Sequence, residues 1–220
     1  VDNYSGHAVS LSSDGTKVAI GAYYNTAGFV THSGHVRIYE YDGGTWTQLG
    51  QDINGTHQGE LSGSSVSLSS DGTIVSFGAP NNGPRAGSGN WALSGAARAY
   101  QWNGTIWNQL GLDIKGESAN DFTGQTVSLN SEGTIIAVGS TGHEPTDQPD
   151  ANNYGYVRIF EYKSIPASSL PSLSVLNSSY DVNQYANSSG TYDGQLTIQI
   201  ENSGGATAGY YEYLYDHSNV

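Results

Sequence analysis

The chain has 220 residues, with 7 Lys plus Arg against 20 Asp plus Glu and a formal net charge of −13 at pH 7. So few cations exclude a phosphate-tracking nucleic-acid surface and an electrostatic hold on anionic membranes; cations, neutral sugars and basic protein patches remain as partners. Cysteine is absent, which removes disulfides, thiolate metal sites and cysteine nucleophiles, and no apolar run of about 18 residues is present to span a bilayer as a helix.

The first elements in chain order are four short strands. "HAVSLSS" alternates Val9 and Leu11 with Ser10 and Ser12. "KVAIGA" follows, with Val18 and Ile20 on one face and small Ala19 on the other, then "HVRIYEY" and "TWTQLG". Period-2 alternation with β-branched and aromatic residues predicts strands. "SSDGT" between the first two and "YDGGT" between the last two are hairpin turns, because Gly accepts positive φ and Asp bonds its own backbone.

The pattern then repeats. "VSLSSDGTIVSFGAP" at 66–80 and "SGAARAYQWNGTIWNQLGLDIKG" at 94–116 form a second copy; "VSLNSEGTIIAVGS" at 127–140 and "YGYVRIFEYKS" at 154–164 form a third, which then diverges. Asp14, Asp71 and Glu132 mark equivalent turns, at a period of about 57 to 61 residues. Four antiparallel strands per unit predict an all-β fold of β-propeller blades, with three units over 1–55, 56–116 and 117–164, the third incomplete. One blade cannot bury both of its faces; stacked copies can. Three blades in an open arc leave two apolar faces, which a longer chain, association of copies or the C-terminal region would cover. "KSIPASSLPSL" reads as a linker, and residues 165–176, with "LPSLSVL" at 170–176, are the candidate linker or replacement fourth strand of the third unit. Residues 177–220 read as a hairpin, "GQLTIQIE" at 194–201 and "AGYYEYLYD" at 208–216, or as a partial sandwich module.

The residues Gly6, Gly63 and Gly124 before the first strand of each unit, the strand ends "GAY" at 21–23, "GAP" at 78–80 and "GST" at 139–141, and the half-unit "SGHVRIYEY…TWTQLG" resemble the FG-GAP (integrin-α-like) propeller repeats of surface and secreted proteins of marine bacteria and algae. The resemblance covers about residues 1–164 and implies a propeller at the cell surface or outside the cell. The tail resembles Ig-like repeats of bacterial surface adhesins over a short stretch. Calcium-binding members of the family carry Asp-x-Asp-x-Asp-Gly between strands one and two. Here the place reads Ser12-Ser13-Asp14-Gly15 and Ser69-Ser70-Asp71-Gly72, and one carboxylate does not supply the six to eight oxygens calcium takes.

No catalytic constellation stands out. His7, His32, His35, His57, His143 and His217 do not recur between units, none has zinc spacing, and no nucleophile elbow precedes a helix. His35 aligns with Ala96 and Tyr156 and reads as a surface strand position. Arg37, Arg98 and Arg158 recur in strand three, and Asp52 and Asp113 are their candidate carboxylate partners in a structural role. Trp46 and Trp107 recur as packing residues between units. The loops between strands two and three, 23–33, 80–94 and 141–154, differ between units and share one rim, where binding residues concentrate. Tyr23, Tyr24, Phe29, Trp91 and Tyr154 are the candidate contacts for a glycan or protein, and Asp147, Asp150 and Asn152 the candidate calcium ligands. Asn54 and Asn103 lie in Asn-x-Thr triplets at turns and are candidate glycosylation sites. The expectation is a non-enzymatic extracellular module for adhesion or recognition; a building block that self-assembles through open propeller faces, and a hydrolase or lyase on a propeller scaffold, are the alternatives.

Overall fold

The computed structural model describes residues 3–83, 93–143, 155–164 and 209–217. These form three antiparallel sheets, with no helix among the described residues. The first sheet holds β1 (Ala8–Leu11), β2 (Lys17–Gly21), β3 (His35–Tyr41), β4 (Trp46–Gln48) and β5 (Ile53–Asn54); β4 and β5 pair with successive stretches of one edge of β3. The second holds β6 (Val66–Leu68), β7 (Ile74–Ala79), β8 (Ala96–Trp102) and β9 (Trp107–Lys115). The third holds β10 (Thr123–Leu129), β11 (Ile135–Ser140), β12 (Tyr156–Ser164) and β13 (Gly209–His217).

Each sheet starts on the same turn. The Asp14 carboxylate accepts from the Ser12 hydroxyl (2.6 Å), the Thr16 amide (2.9 Å) and the Thr16 hydroxyl (2.8 Å), while Gly15 takes φ +70°. Asp71 repeats this with Ser69 and Thr73, and in the third sheet the Asn130 amide group donates to Glu132. These bonds are local, so strand pairing follows from a few adjacent residues.

The sheets pack face to face in chain order. Ala19, Val36, Ile38 and Ile53 of the first meet Leu68, Val75, Phe77 and Trp107 of the second in one buried core. Ala97 and Ile114 of the second meet Ile136, Val138 and Phe160 of the third in another. The joints repeat in detail. The Leu68 amide donates to Ser10 Oγ (3.0 Å) and the Leu129 amide to Ser67 Oγ (2.9 Å). The Ser13 amide donates to the Ser70 carbonyl and the Ser70 amide to that of Ser131, both at 2.8 Å. Gly63 and Gly124, at φ +86° and +87°, press their backbones against Gly21 and Gly78 of the preceding sheet, where a Cβ on either partner would overlap backbone atoms. Glycine at both places is what permits the sheets to approach.

Three expectations change. The third unit is not short of a strand: β13, from the C-terminal segment, pairs antiparallel with β12 from Val157–His217 to Ser164–Gly209. Gly209–His217 lies along that edge of β12; the candidate linker or replacement strand at 165–176, with the rest of 165–208, lies outside the described residues. The fourth element of the first unit is split into β4 and β5 at Gly50, where β9 stays continuous with a bulge between Ala97 and Ala99. His35 is not a surface residue; it is 3% exposed, because β5 and the Gly63 turn cover the start of β3. The described sheets form no closed ring.

Candidate functional site

The connection from β2 to β3 leaves the first sheet at Ala22, and its chain folds back through a bridge between Ala27 and Val30 with Gly28 at φ +59° between them. It is tied down at both ends: the Asn25 amide bonds the Ala22 carbonyl, the Gly34 amide that of Asn25, and the Gly59 amide reaches the Thr31 carbonyl. Phe29 stands at the tip, fully exposed, where its burial would stabilise a complex and its exposure stabilises nothing in the fold.

Around the base of this loop five rings gather. Tyr4 lies 5.4 Å from Tyr23 and 5.6 Å, edge-on, from Tyr24; His7 lies 4.5 Å from Tyr23; Tyr24 stacks on His32 at 3.8 Å. Tyr23 and Tyr24 are edge-to-face at 5.8 Å. Tyr4 is 52% exposed, and the others are exposed or half-buried. Tyr4 and His32 both hold positive φ, 49° and 53°. Non-glycine residues enter that region at a cost of roughly 1 kcal/mol or more; at Tyr4 the His7 amide bonds its carbonyl, and at His32 the Leu61 amide does the same. The result is a platform of aromatic faces with hydroxyl and imidazole rims and no fixed charge among the five, a surface suited to neutral ligands with apolar faces and polar edges.

Tyr23, Tyr24 and Phe29 thus lie on one loop, the first two inside the platform and Phe29 beyond it. Tyr4, His7 and His32 were not singled out by sequence. Tyr4 had a readable signal: it aligns with Leu61 and Phe122, which share its positive φ (62° and 53°), so a tyrosine there is the apolar residue of a recurring bend turned outward. Trp91, Tyr154, Asp147, Asp150 and Asn152 lie outside the described residues. Asn103 is exposed in its turn, its side-chain carbonyl engaged by the Thr105 and Ile106 amides at 2.9 Å, and Asn54 is exposed at the end of β5. No group of three His, Asp or Glu able to hold a metal occurs among the described residues.

The repeated arginines occupy three different settings. Arg98, 3% exposed, donates from Nε to Asp113 (3.0 Å), from Nη1 to Glu60 Oε1 (2.8 Å) and Ser62 Oγ (3.1 Å), and from Nη2 to Glu60 Oε2 (3.2 Å). Glu60 is fully buried and also accepts from the Thr56 amide, the Ser62 hydroxyl and Asn82 Nδ2. Burial pushes its pKa up, but Arg98, Ser62 and Thr56 outweigh this and hold it at about 2. Arg37 pairs bidentately with Asp52 (2.9 and 2.7 Å), with its side chain 40% exposed. Arg158 bonds Glu117 (3.0 Å) and the Lys115 carbonyl, and its Nε is buried with no hydrogen-bond partner among the described residues. At the place equivalent to Glu60, Asp121 accepts from the Glu117 and Ser118 amides and from Tyr156 (3.3 Å), with His143 at 3.1 Å. Arg158 thus ties the third sheet to the end of β9 and Arg98 ties the second sheet to the connection that precedes it, whereas Arg37 and Asp52 pair within the first sheet.

Trp107 is 2% exposed in the core between the first two sheets, its indole donating to the Leu49 carbonyl at 2.8 Å; its counterpart Trp46 is 46% exposed beside Tyr41. The pair recurs in sequence and not in environment, because of these two sheets only the second has a neighbour on that side. No protein-family model matches the chain, and no curated protein matches it.

Proposed function

We propose that the chain is a non-enzymatic recognition module of the FG-GAP-like propeller kind, acting outside the cell or at its surface, and that the platform of Tyr4, His7, Tyr23, Tyr24 and His32, with Phe29 above it, holds a neutral glycan. The blade reading is supported by the two sheet-to-sheet joints, which use equivalent residues and equivalent backbone bonds. The observation that carries the binding reading is the exposed five-ring cluster at the loop end of the first sheet, free of Asp, Glu, Lys and Arg in a chain of net charge −13. Sugars present apolar C–H faces to aromatic rings and hydroxyls to polar rims, so such a platform takes them without a charge partner.

The test is a binding screen of the purified chain against immobilised neutral oligosaccharides, repeated with Tyr24→Ala and Phe29→Ser. An aromatic contact contributes about 0.5–1.5 kcal/mol beyond its burial, so Tyr24→Ala weakens the bound glycan by roughly tenfold while the thermal midpoint stays near that of the parent. Binding only to a protein ligand, or glycan binding unchanged in Tyr24→Ala, overturns this reading; turnover of the glycan overturns its non-enzymatic part.

A further inference from the structure

We propose that copies of this chain associate head to tail, the outer face of the third sheet of one copy covering the outer face of the first sheet of the next. The chain already makes this joint twice. Against the first sheet, the second presents Val66, Leu68, Val75, Phe77 and Tyr100. The first sheet carries the same face as Val9, Leu11, Val18, Ile20 and Tyr39, matched by strand register. There Val9 is 63% and Leu11 60% exposed, and Trp46, on β4 at the other edge of the sheet, is 46% exposed. In the receiving half of the joint the first sheet presents Ala19, Val36 and Ile38. The third sheet carries that half as Ala137, Val157 and Ile159, with Val157 46% exposed. The two outer faces are thus the two mating halves of one joint, a heterologous contact.

The backbone repeats the same statement. Gly6 holds φ +90°, the conformation of Gly63 and Gly124, yet a Cβ on it would meet nothing within 4 Å, whereas the other two are pressed into the preceding sheet. Gly139, the counterpart of the receiving glycines Gly21 and Gly78, faces only Thr126 of its own sheet. Ser128 is exposed in the series Ser10, Ser67, Ser128, whose first two hydroxyls accept the amides of Leu68 and Leu129; the Leu11 amide of the next copy is the equivalent donor. The occupant is therefore a surface of the shape and polarity this chain itself carries, and a second copy supplies it. The proposal stands independently of glycan recognition.

The test is sedimentation of the full chain over roughly a hundredfold range of concentration, at low and moderate salt. The weight-average mass rises above the monomer with concentration, and more steeply with salt, since like-charged copies repel. Leu11→Asp and Val157→Asp each cut association by at least tenfold; Phe29→Ser leaves it unchanged. Mixed together, the Leu11→Asp and Val157→Asp chains retain one good pair of faces and form a one-to-one dimer that grows no further. Near-ultraviolet circular dichroism checks that each variant is folded, and Val9→Ser replaces Leu11→Asp if that chain is not. A monomer throughout the range overturns the proposal, as an intramolecular cover of the face would give. Association that Val157→Asp leaves intact also overturns it, because the contact would then join two first-sheet faces.

Discussion

Glu60 carries more of the fold than any exposed charge of the chain. It is fully buried with Arg98, and both of its oxygens are engaged by that guanidinium. Removing one partner of a buried pair leaves the other uncompensated, at about 3–5 kcal/mol, a large share of a domain's ~5–15 kcal/mol. Glu60→Gln therefore lowers the urea midpoint sharply, whereas Asp52→Asn, which breaks the solvent-screened Arg37 pair, costs about 0–1 kcal/mol. The pH dependence has a definite sign. The folded pKa of Glu60 is about 2, below its ordinary 4.5, so its stabilisation is complete above the unfolded value and is lost as pH falls from there through about 2. Acid unfolding across that window is less steep in Glu60→Gln than in the parent, and an equal slope in the two would refute the assignment. The arginine–aspartate pairs, Arg37 with Asp52 and Arg98 with Asp113, were legible because both members recur at a fixed spacing. Glu60 was not, because its counterparts are Asn3 and Asp121: one cannot ionise, and the other is a methylene shorter and bonds the amides of its own loop instead. The platform was half legible for a related reason. Tyr23 and Tyr24 are adjacent in a divergent loop, whereas Tyr4, His7 and His32 reach them only once the chain has folded.

Among the elements, β13 is the informative one. The fourth strand of the second sheet reads "WNQLGLDIK", and that of the third "GYYEYLYDH". The registers place Tyr211 opposite Tyr162 as Trp107 stands opposite Trp102, and Asp216 stands opposite Arg158, in the strand whose counterparts hold Asp52 and Asp113. A tyrosine in place of the tryptophan and a long separation from β12 hid this equivalence in the sequence, where alternating tyrosines read as a hairpin of their own. The first two strands of each unit were legible because the turn between them is made by adjacent Ser, Asp or Glu, Gly and Thr, and the third because its apolar and polar residues alternate. Strand pairing across a distant insertion depends on long-range register, which adjacent residues do not specify. Ending the chain before Gly209 strips β12 of its outer partner. The amides of β12 then exchange faster with deuterium, while those of β7 and β8 hold their protection. An unchanged β12 would mean that another segment satisfies that edge.

At the scale of the molecule, stability is set by which sheet has neighbours. Both faces of the second sheet are covered, and every residue of β7 is buried; among the described residues, the first and third sheets each have one face in a joint and one outside. In a linear stack the free energy of opening a unit is its own plus that of the joints it breaks. The second sheet therefore opens only with the whole, and the outer sheets open by breaking one joint each. Gly78→Ala tests this directly. Its added methyl would overlap the Gly124 backbone, a clash that moving the nearby Ser65 hydroxyl does not relieve, so overpacking at about 1–3 kcal/mol falls on the joint between the second and third sheets. Gly139→Ala meets only the Thr126 side chain, which turns aside, and costs less. Deuterium exchange followed by mass spectrometry, at concentrations too low for association, reads the outcome segment by segment. In Gly78→Ala protection falls in β11 and β12 and persists in β2, β3 and β7, as a joint-by-joint stack requires. Equal loss in all three sheets would instead show a single cooperative unit, in which strain at one joint is shared across the whole fold.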